Sequence, residues 1–176
     1  SAEDIHAALE ELLAQNPRGL IFDLRNNSGG YLTSAVEISS EFLKDGVVAF
    51  EEYGDGSRIS YDATGEGIAT EIPLIILINE WSASASEIVA GAMKDRNRAE
   101  IVGMTSFGKG TVQSWIPLSD DQGAVRVTIA RWLTPNGTNV HEIGLTPDYE
   151  IAYTEEDMLA GVDPQLDRAI ELLSQP

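Results

Sequence analysis

A chain of 176 residues suits one domain, large enough to bury about 70% of the surface its unfolded form exposes. Its 29 acidic and 11 basic residues give a net charge of −18, which repels nucleic acid and anionic membranes, and no basic stripe or basic-aromatic cluster offsets it. The lack of cysteine excludes disulfides, thiol catalysis and zinc-thiolate sites, and no apolar run approaches the roughly 18 residues of a membrane helix.

The first predicted element is an amphipathic helix in AEDIHAALEELLAQ, with Ile5, Leu9, Leu12 and Leu13 on one face and Asn16-Pro17 directly after it. Residues 19–24 (GLIFDL) read as a strand. Asn26-Asn27-Ser28-Gly29-Gly30 follows, a run tolerant of positive φ and suited to turning backbone N–H groups toward one point. Such a nest binds anions or polarises a carbonyl oxygen, although an ordinary strand-to-helix loop has the same composition. Asp23 and Arg25 flank it, with structural pairing the expected role for both. A second helix is predicted over 32–44, carrying Leu32, Ala35, Val36, Phe42 and Leu43 and ending at Asp45-Gly46. VVAFEEY and RISYDA then flank GDGS as a hairpin.

Residues 73–78 (PLIILI) form a short apolar run bounded by turn signals, the pattern of a fully buried strand. After Asn79, Glu80 and Trp81, the segment SASASEIVAGAM is helix-forming, with Ile88, Val89 and Met93 on one side. A buried strand therefore feeds a helix that starts near Ser84. Free backbone N–H groups at a helix start favour negative charge and can stabilise a developing oxyanion, so this is a favoured place for a nucleophile. Ser84 and Glu87 also spell a capping box, which ordinary helices use.

A short strand is predicted over 99–103. Lys109, one of three lysines, then sits in Phe107-Gly108-Lys109-Gly110 ahead of the strand TVQSWIPL. A free lysine titrates near 10.4, so one can act as a base at neutral pH only where burial among apolar groups disfavours its charge. Flanking glycines let the chain bring it close to another element, or make an ordinary exposed turn. Gln113 lies four residues on, an even spacing that places both side chains on one face of a strand, where its carbonyl oxygen could hold the amine without adding charge. TVQSWIPL, SDDQG and AVRVTIARWL read as an antiparallel pair, and Asp163-Pro164 as cap and first turn of the helix PQLDRAIELL. Acidic clusters such as Glu10-Glu11, Glu51-Glu52 and 155–157 are expected to be solvated surface. Alternating strands and helices favour an α/β core with helices packed against a sheet.

The segments FDLRNNSGG, SASASEIVAGAMKDRNRAEIVG, SFGKGTVQS and LTPNG…GLTPD, in this order and with 25 residues from Ser84 to Lys109, resemble the successive blocks of the C-terminal processing peptidases, or tail-specific proteases. The likeness runs over nearly the whole chain. It implies a ClpP/crotonase-like core of repeated β-β-α units, helices on a mixed sheet, and serine endopeptidase activity near the C-termini of protein substrates. Block by block, it implies Ser84 as nucleophile, Lys109 as general base and Gln113 as the group that orients the lysine. The N–H groups of Gly30 and Ala85 would form the oxyanion hole. It further implies no cofactor, no metal, protein or peptide partners with accessible C-termini, no nucleic acid, and an extracytoplasmic setting, periplasmic or cell-surface. Family members carry a PDZ domain and several strands ahead of the first helix, so residues 1–176 are expected to be one catalytic domain truncated on its N-terminal side. Two departures stand out. Ser28 occupies a position that is usually proline, expected to loosen the loop that aims Gly30. Trp81 occupies one that is usually small or polar, expected to narrow the approach to Ser84.

Rival chemistries fit less well. Residues 103–109 nearly spell a phosphate-binding loop, but Gly110 replaces the hydroxyl residue that would hold Mg²⁺ and a strand follows. His6 and His141 have no recognisable triad partners and no ligand-like spacing with acids. A non-catalytic peptide-binding or scaffolding domain of the same fold stays open, as does a crotonase-like acyl-CoA enzyme, which would not need the Ser-Lys-Gln set.

Overall fold

The computed structural model describes residues 2–119 and 122–175. Of the predicted turn SDDQG, Asp120 and Asp121 lie outside the described residues. The order of elements is α1 (Ala2–Leu13), β1 (Leu20–Asp23), α2 (Leu32–Phe42), β2 (Val47–Tyr53), β3 (Arg58–Asp62), β4 (Leu74–Ile78), α3 (Ala85–Asp95), β5 (Glu100–Gly103), β6 (Thr111–Pro117), β7 (Ala124–Leu133), β8 (Tyr149–Glu150), α4 (Glu155–Ala160) and α5 (Pro164–Ser174).

Parallel and antiparallel strands are sorted into two four-stranded sheets. One is parallel, in the order β1-β4-β5-β8, and the other antiparallel, in the order β3-β2-β7-β6. Twice, a hairpin of the antiparallel sheet is followed by a strand of the parallel sheet and then by a helix: β2-β3 by β4 and α3, and β6-β7 by β8 and α4.

The unbroken apolar run of β4 has a direct cause. Leu74, Ile76 and Ile78 join the core under α1, α2 and α3, whereas Ile75 and Leu77 join a second cluster with Val102 of β5 and Ala169 of α5. A strand covered on both faces needs apolar residues at every position, which alternating patterns do not supply. The helix after it is equally enclosed, because every residue from Ala85 to Met93 is buried between α2, β2 and β5. In α5, Pro164 stands in the first turn and the Asp163 side chain accepts from Leu166 N at 3.0 Å, a cap worth about 1 kcal/mol.

On α1, Leu9 is buried and Ile5 and Leu13 pack partly against the core. Leu12, expected on the same face, is exposed, because only the arc of α1 that meets α2 is covered. The two-residue strand β8 and the short helix α4 escape sequence reading. The acidic run at 155–157 forms the first turn of α4, where Asp157 closes a capping box with Thr154. No helix among the described residues is long and apolar enough to cross a membrane.

His6 ties α1 to α2 through a 2.7 Å contact between its Nδ1 and Glu41 Oε1, while Glu41 Oε2 accepts from Ile68 N. The hydrogen bond and charge of Glu41 push the imidazole pKa above 6.5. A raised histidine stabilises the fold fully below its unfolded value and ceases to as pH rises through its folded value. Thermal melts between pH 6 and 8.5 should therefore show wild type losing its advantage over His6→Gln as pH rises. A pH-independent difference would remove this clasp from the account.

Candidate active site

Ser84 caps α3 with φ 57° and ψ −116°, a region that costs a non-glycine residue of order 1–3 kcal/mol and persists only where surroundings enforce it. The enforcing contacts come from the loop after β1. Asn27 O accepts from Ala83 N and from Ser86 Oγ, both at 3.0 Å, and Ser82 Oγ donates to Leu24 O at 2.8 Å. Asn26 and Asn79 hold each other by a side-chain bond of 3.0 Å, and Asn79 Oδ1 also takes Asn26 N. Beside Ser28, where looseness is expected, these bonds tie the loop to the serine turn. Asn27 also takes Gly29 N with its side chain at 2.9 Å, so an asparagine fixes the turn that proline would otherwise stiffen.

Gly29 lies against the serine turn. A Cβ there would collide with the Ala83 carbonyl and stand 2.7 Å from Ala85 N and 2.8 Å from Ser84 Cβ, at a φ of 91° that side chains disfavour. Gly29→Ala should push the two loops apart, at a cost of about 2 kcal/mol or more, and reduce any turnover at Ser84 by at least about tenfold. Melting curves and rates check this; an alanine variant with unchanged turnover would show that the approach does not matter. Neither Gly30 N nor Ala85 N donates to a protein acceptor among the described residues, so both N–H groups remain available beside Ser84.

Lys109 arrives from the other side. Its loop presses on 139–144, with Gly108 O accepting from Glu142 N at 2.9 Å. A Cβ on Gly108, whose φ is 87°, would sit 2.9 Å from Gly144 N. Trp132 Nε1 donates to the Lys109 carbonyl at 2.8 Å. Ser84, Lys109, Gln113 and Gly30 line one cavity of about 320 Å³, together with residues of the β6-β7 hairpin, whereas Ala85 faces a neighbouring, more apolar cavity that shares Gly30 and Tyr31. Lys109 precedes β6, and a register shift separates Val112 from Gln113. The extra residue is Ile129 on β7, so β6 keeps its alternation, and Lys109, Thr111, Gln113 and Trp115 all line the cavity, in line with the even spacing of Lys109 and Gln113. Lys109 Nζ makes no hydrogen bond to Ser84 Oγ among the described residues.

Glu87 was legible only as a helix cap, yet it bolts the two halves of the site together. Its carboxylate is 1% exposed and accepts four hydrogen bonds: Ser84 N at 2.8 Å and Lys109 N at 2.9 Å on Oε2, Ser106 Oγ and Gly108 N at 2.6 Å each on Oε1. Ser106 Oγ in turn accepts from Leu145 N at 2.7 Å. One buried anion thus sets the spacing between the serine turn and the lysine loop.

Trp81, expected to crowd Ser84, is 61% exposed and lies outside the cavity lining, because its N–H is drawn to Asn79 Oδ1 at the outer edge of the turn. Asp23 and Arg25 pair as expected, and Arg25 continues to Asp163 and Gln165, anchoring α5. Neither histidine lines the cavity: His6 belongs to the α1-α2 clasp, and His141 Nδ1 lies 3.3 Å from Gly108 O. Among the described residues no group of three or more histidines or carboxylates is arranged to hold a metal ion.

The family model for peptidase family S41 matches residues 1–151. The carboxyl-terminal-processing protease of Synechocystis sp. (strain ATCC 27184 / PCC 6803 / Kazusa) is 37% identical over 175 residues, covering 98% of this chain and 40% of the relative. The carboxy-terminal-processing protease of Bartonella bacilliformis is 40% identical over 168 residues, covering 93% and 38%. Among solved structures, the photosystem II D1 C-terminal processing protease superposes with a TM-score of 0.81 at 38% identity, covering 85% of this chain and 39% of that one. The chain thus spans about two fifths of the length of these relatives.

Proposed function

The chain belongs to peptidase family S41, and from that premise we propose that it is the catalytic core of a serine endopeptidase that cuts protein substrates near their C-termini. The observation that carries the reading is Ser84, held at positive φ on a strand-to-helix turn and sharing a cavity with Lys109, with two uncommitted backbone N–H groups beside it. In the mechanism we infer, Lys109 Nζ takes the Ser84 hydroxyl proton as Oγ bonds to the scissile carbonyl carbon. The oxygen, now negative, is received by Gly30 N–H and Ala85 N–H. The C–N bond then breaks, the lysine ammonium returns its proton to the leaving amine, and an acyl-Ser84 remains. Water, deprotonated by Lys109, attacks that ester; the acyl C–Oγ bond breaks, the lysine returns its proton to Ser84 Oγ, and the new C-terminus is released. Gln113 orients the lysine throughout.

Ser84 and Lys109 share the cavity without a hydrogen bond between them, and catalytic contacts often tighten only around substrate. The same open pair favours a second reading, a peptide-binding domain that does not cleave. Incubating the intact protein with a protein that ends in an unstructured tail, followed by mass spectrometry, separates the two: an internal peptide bond cut close to the C-terminus is expected, and an uncut tail that nevertheless binds would overturn the protease reading. From family likeness alone we assign an extracytoplasmic setting, periplasmic or cell-surface, protein or peptide substrates with accessible C-termini, and a single catalytic domain over 1–176.

A further inference from the structure

The cavity of Ser84 and Lys109 also holds a guanidinium that the proposed cleavage does not use. Arg126 lines it from β7. The hairpin register sets Arg126 opposite Trp115, and its guanidinium lies over the Trp115 ring, 5.9 Å from the centroid. A guanidinium lying over an aromatic ring is attracted through its face and keeps its N–H edges for other partners. Carboxylates are in large excess in this chain, and Arg25, Lys44, Arg58, Lys94, Arg96 and Arg168 are all engaged in ion pairs. Arg126 pairs with none among the described residues. An unpaired cation, braced in a catalytic cavity of so acidic a protein, is suited to an anion that arrives from outside.

Spacing limits where that anion lies. Gln113 pairs with Thr128 and Trp115 with Arg126, so the arginine stands one two-residue step, roughly 7 Å, beyond Gln113 along the hairpin. Arg126 thus lies along the same wall of the cavity as Gln113 and Lys109, within reach of a peptide seated at Ser84.

We propose that Arg126, braced by Trp115, is a carboxylate-binding subsite of the catalytic cavity, selecting peptides that carry a negative group a short way along the chain from the bond that is cut. The proposal rests on the protease reading. The guanidinium edge presents paired donors that match the two oxygens of a carboxylate. Two sources can supply it: the free C-terminus of the substrate, or an aspartate or glutamate side chain.

Three matched peptides test it, each with the scissile bond three residues from the end: a free acid, its C-terminal amide, and the amide with an aspartate in the last position. The intact protein should favour the free acid over the plain amide by about tenfold in kcat/KM, mostly through KM, with the preference shrinking at high ionic strength. If the aspartyl amide recovers the rate, side chains serve as well as termini; if it does not, the terminus is the ligand. Arg126→Gln should collapse the acid-to-amide ratio toward one, and Arg126→Lys should restore part of it. Equal rates for all three peptides with wild type, or a preference that survives in Arg126→Gln, would overturn the subsite. Fluorescence anisotropy of the same peptides with Ser84→Ala reads the ratio without turnover. A preserved binding ratio with no cleavage by wild type sinks the protease reading alone, and cleavage with no ratio sinks the subsite alone.

Discussion

Ser84→Ala and Lys109→Ala should each abolish cleavage of an unstructured C-terminal tail by the intact protein, lowering kcat by about 10⁴-fold or more. In the proposed mechanism the first removes the atom that bonds to the scissile carbonyl. The second removes the proposed acceptor for its proton, and no histidine lines the cavity to replace it. Both side chains are only partly buried and neither anchors the core, so melting temperatures should change little. The two effects should not add, because nucleophile and base act as one unit: the double variant should be about as slow as either single one. Wild-type turnover by Lys109→Ala would refute the assignment of the base.

Glu87→Gln should also slow turnover strongly although Glu87 is not placed to touch substrate. Glutamine keeps the volume but turns one oxygen into a donor, in a pocket where each carboxylate oxygen already receives two donors. At least one backbone N–H, of Ser84, Gly108 or Lys109, then loses its acceptor, at about 1–3 kcal/mol. The loss falls on the contact that spaces the serine turn from the lysine loop, so kcat should drop by at least about a hundredfold even at a temperature where the variant is fully folded. Glu87→Ala, which orphans all four donors, should destabilise by about 3 kcal/mol or more. A Glu87→Gln enzyme with normal melting and normal kcat would mean that the bolt has no bearing on the chemistry.

What could be read in advance followed from local rules. The apolar run 73–78 announced a strand covered on both faces, and a serine before an alanine-rich segment announced a helix start beside it. Glycines around Lys109 announced a close approach, which the structure resolves as packing on 139–144. Long-range features were hidden. Three of the four donors to Glu87 come from residues 19 to 22 positions away, so no local pattern distinguishes it from an ordinary cap. Gln113 shares the lysine's cavity by the even spacing that the sequence displays, but Arg126 enters it only through the register of a hairpin. Leu12 and Trp81 were misplaced because helical periodicity and block position say which residues lie near each other, not which neighbours cover them.

Rapid-quench peptide mapping during turnover of a slowly hydrolysed ester or peptide tests the central claim most directly. The account predicts that, before steady state, an acyl group derived from the substrate is found on the Ser84 hydroxyl, and that Lys109→Ala fails to accumulate it. Peptide bonds cleaved with Ser84 left unmodified throughout, or an acyl group on another side chain, would contradict it.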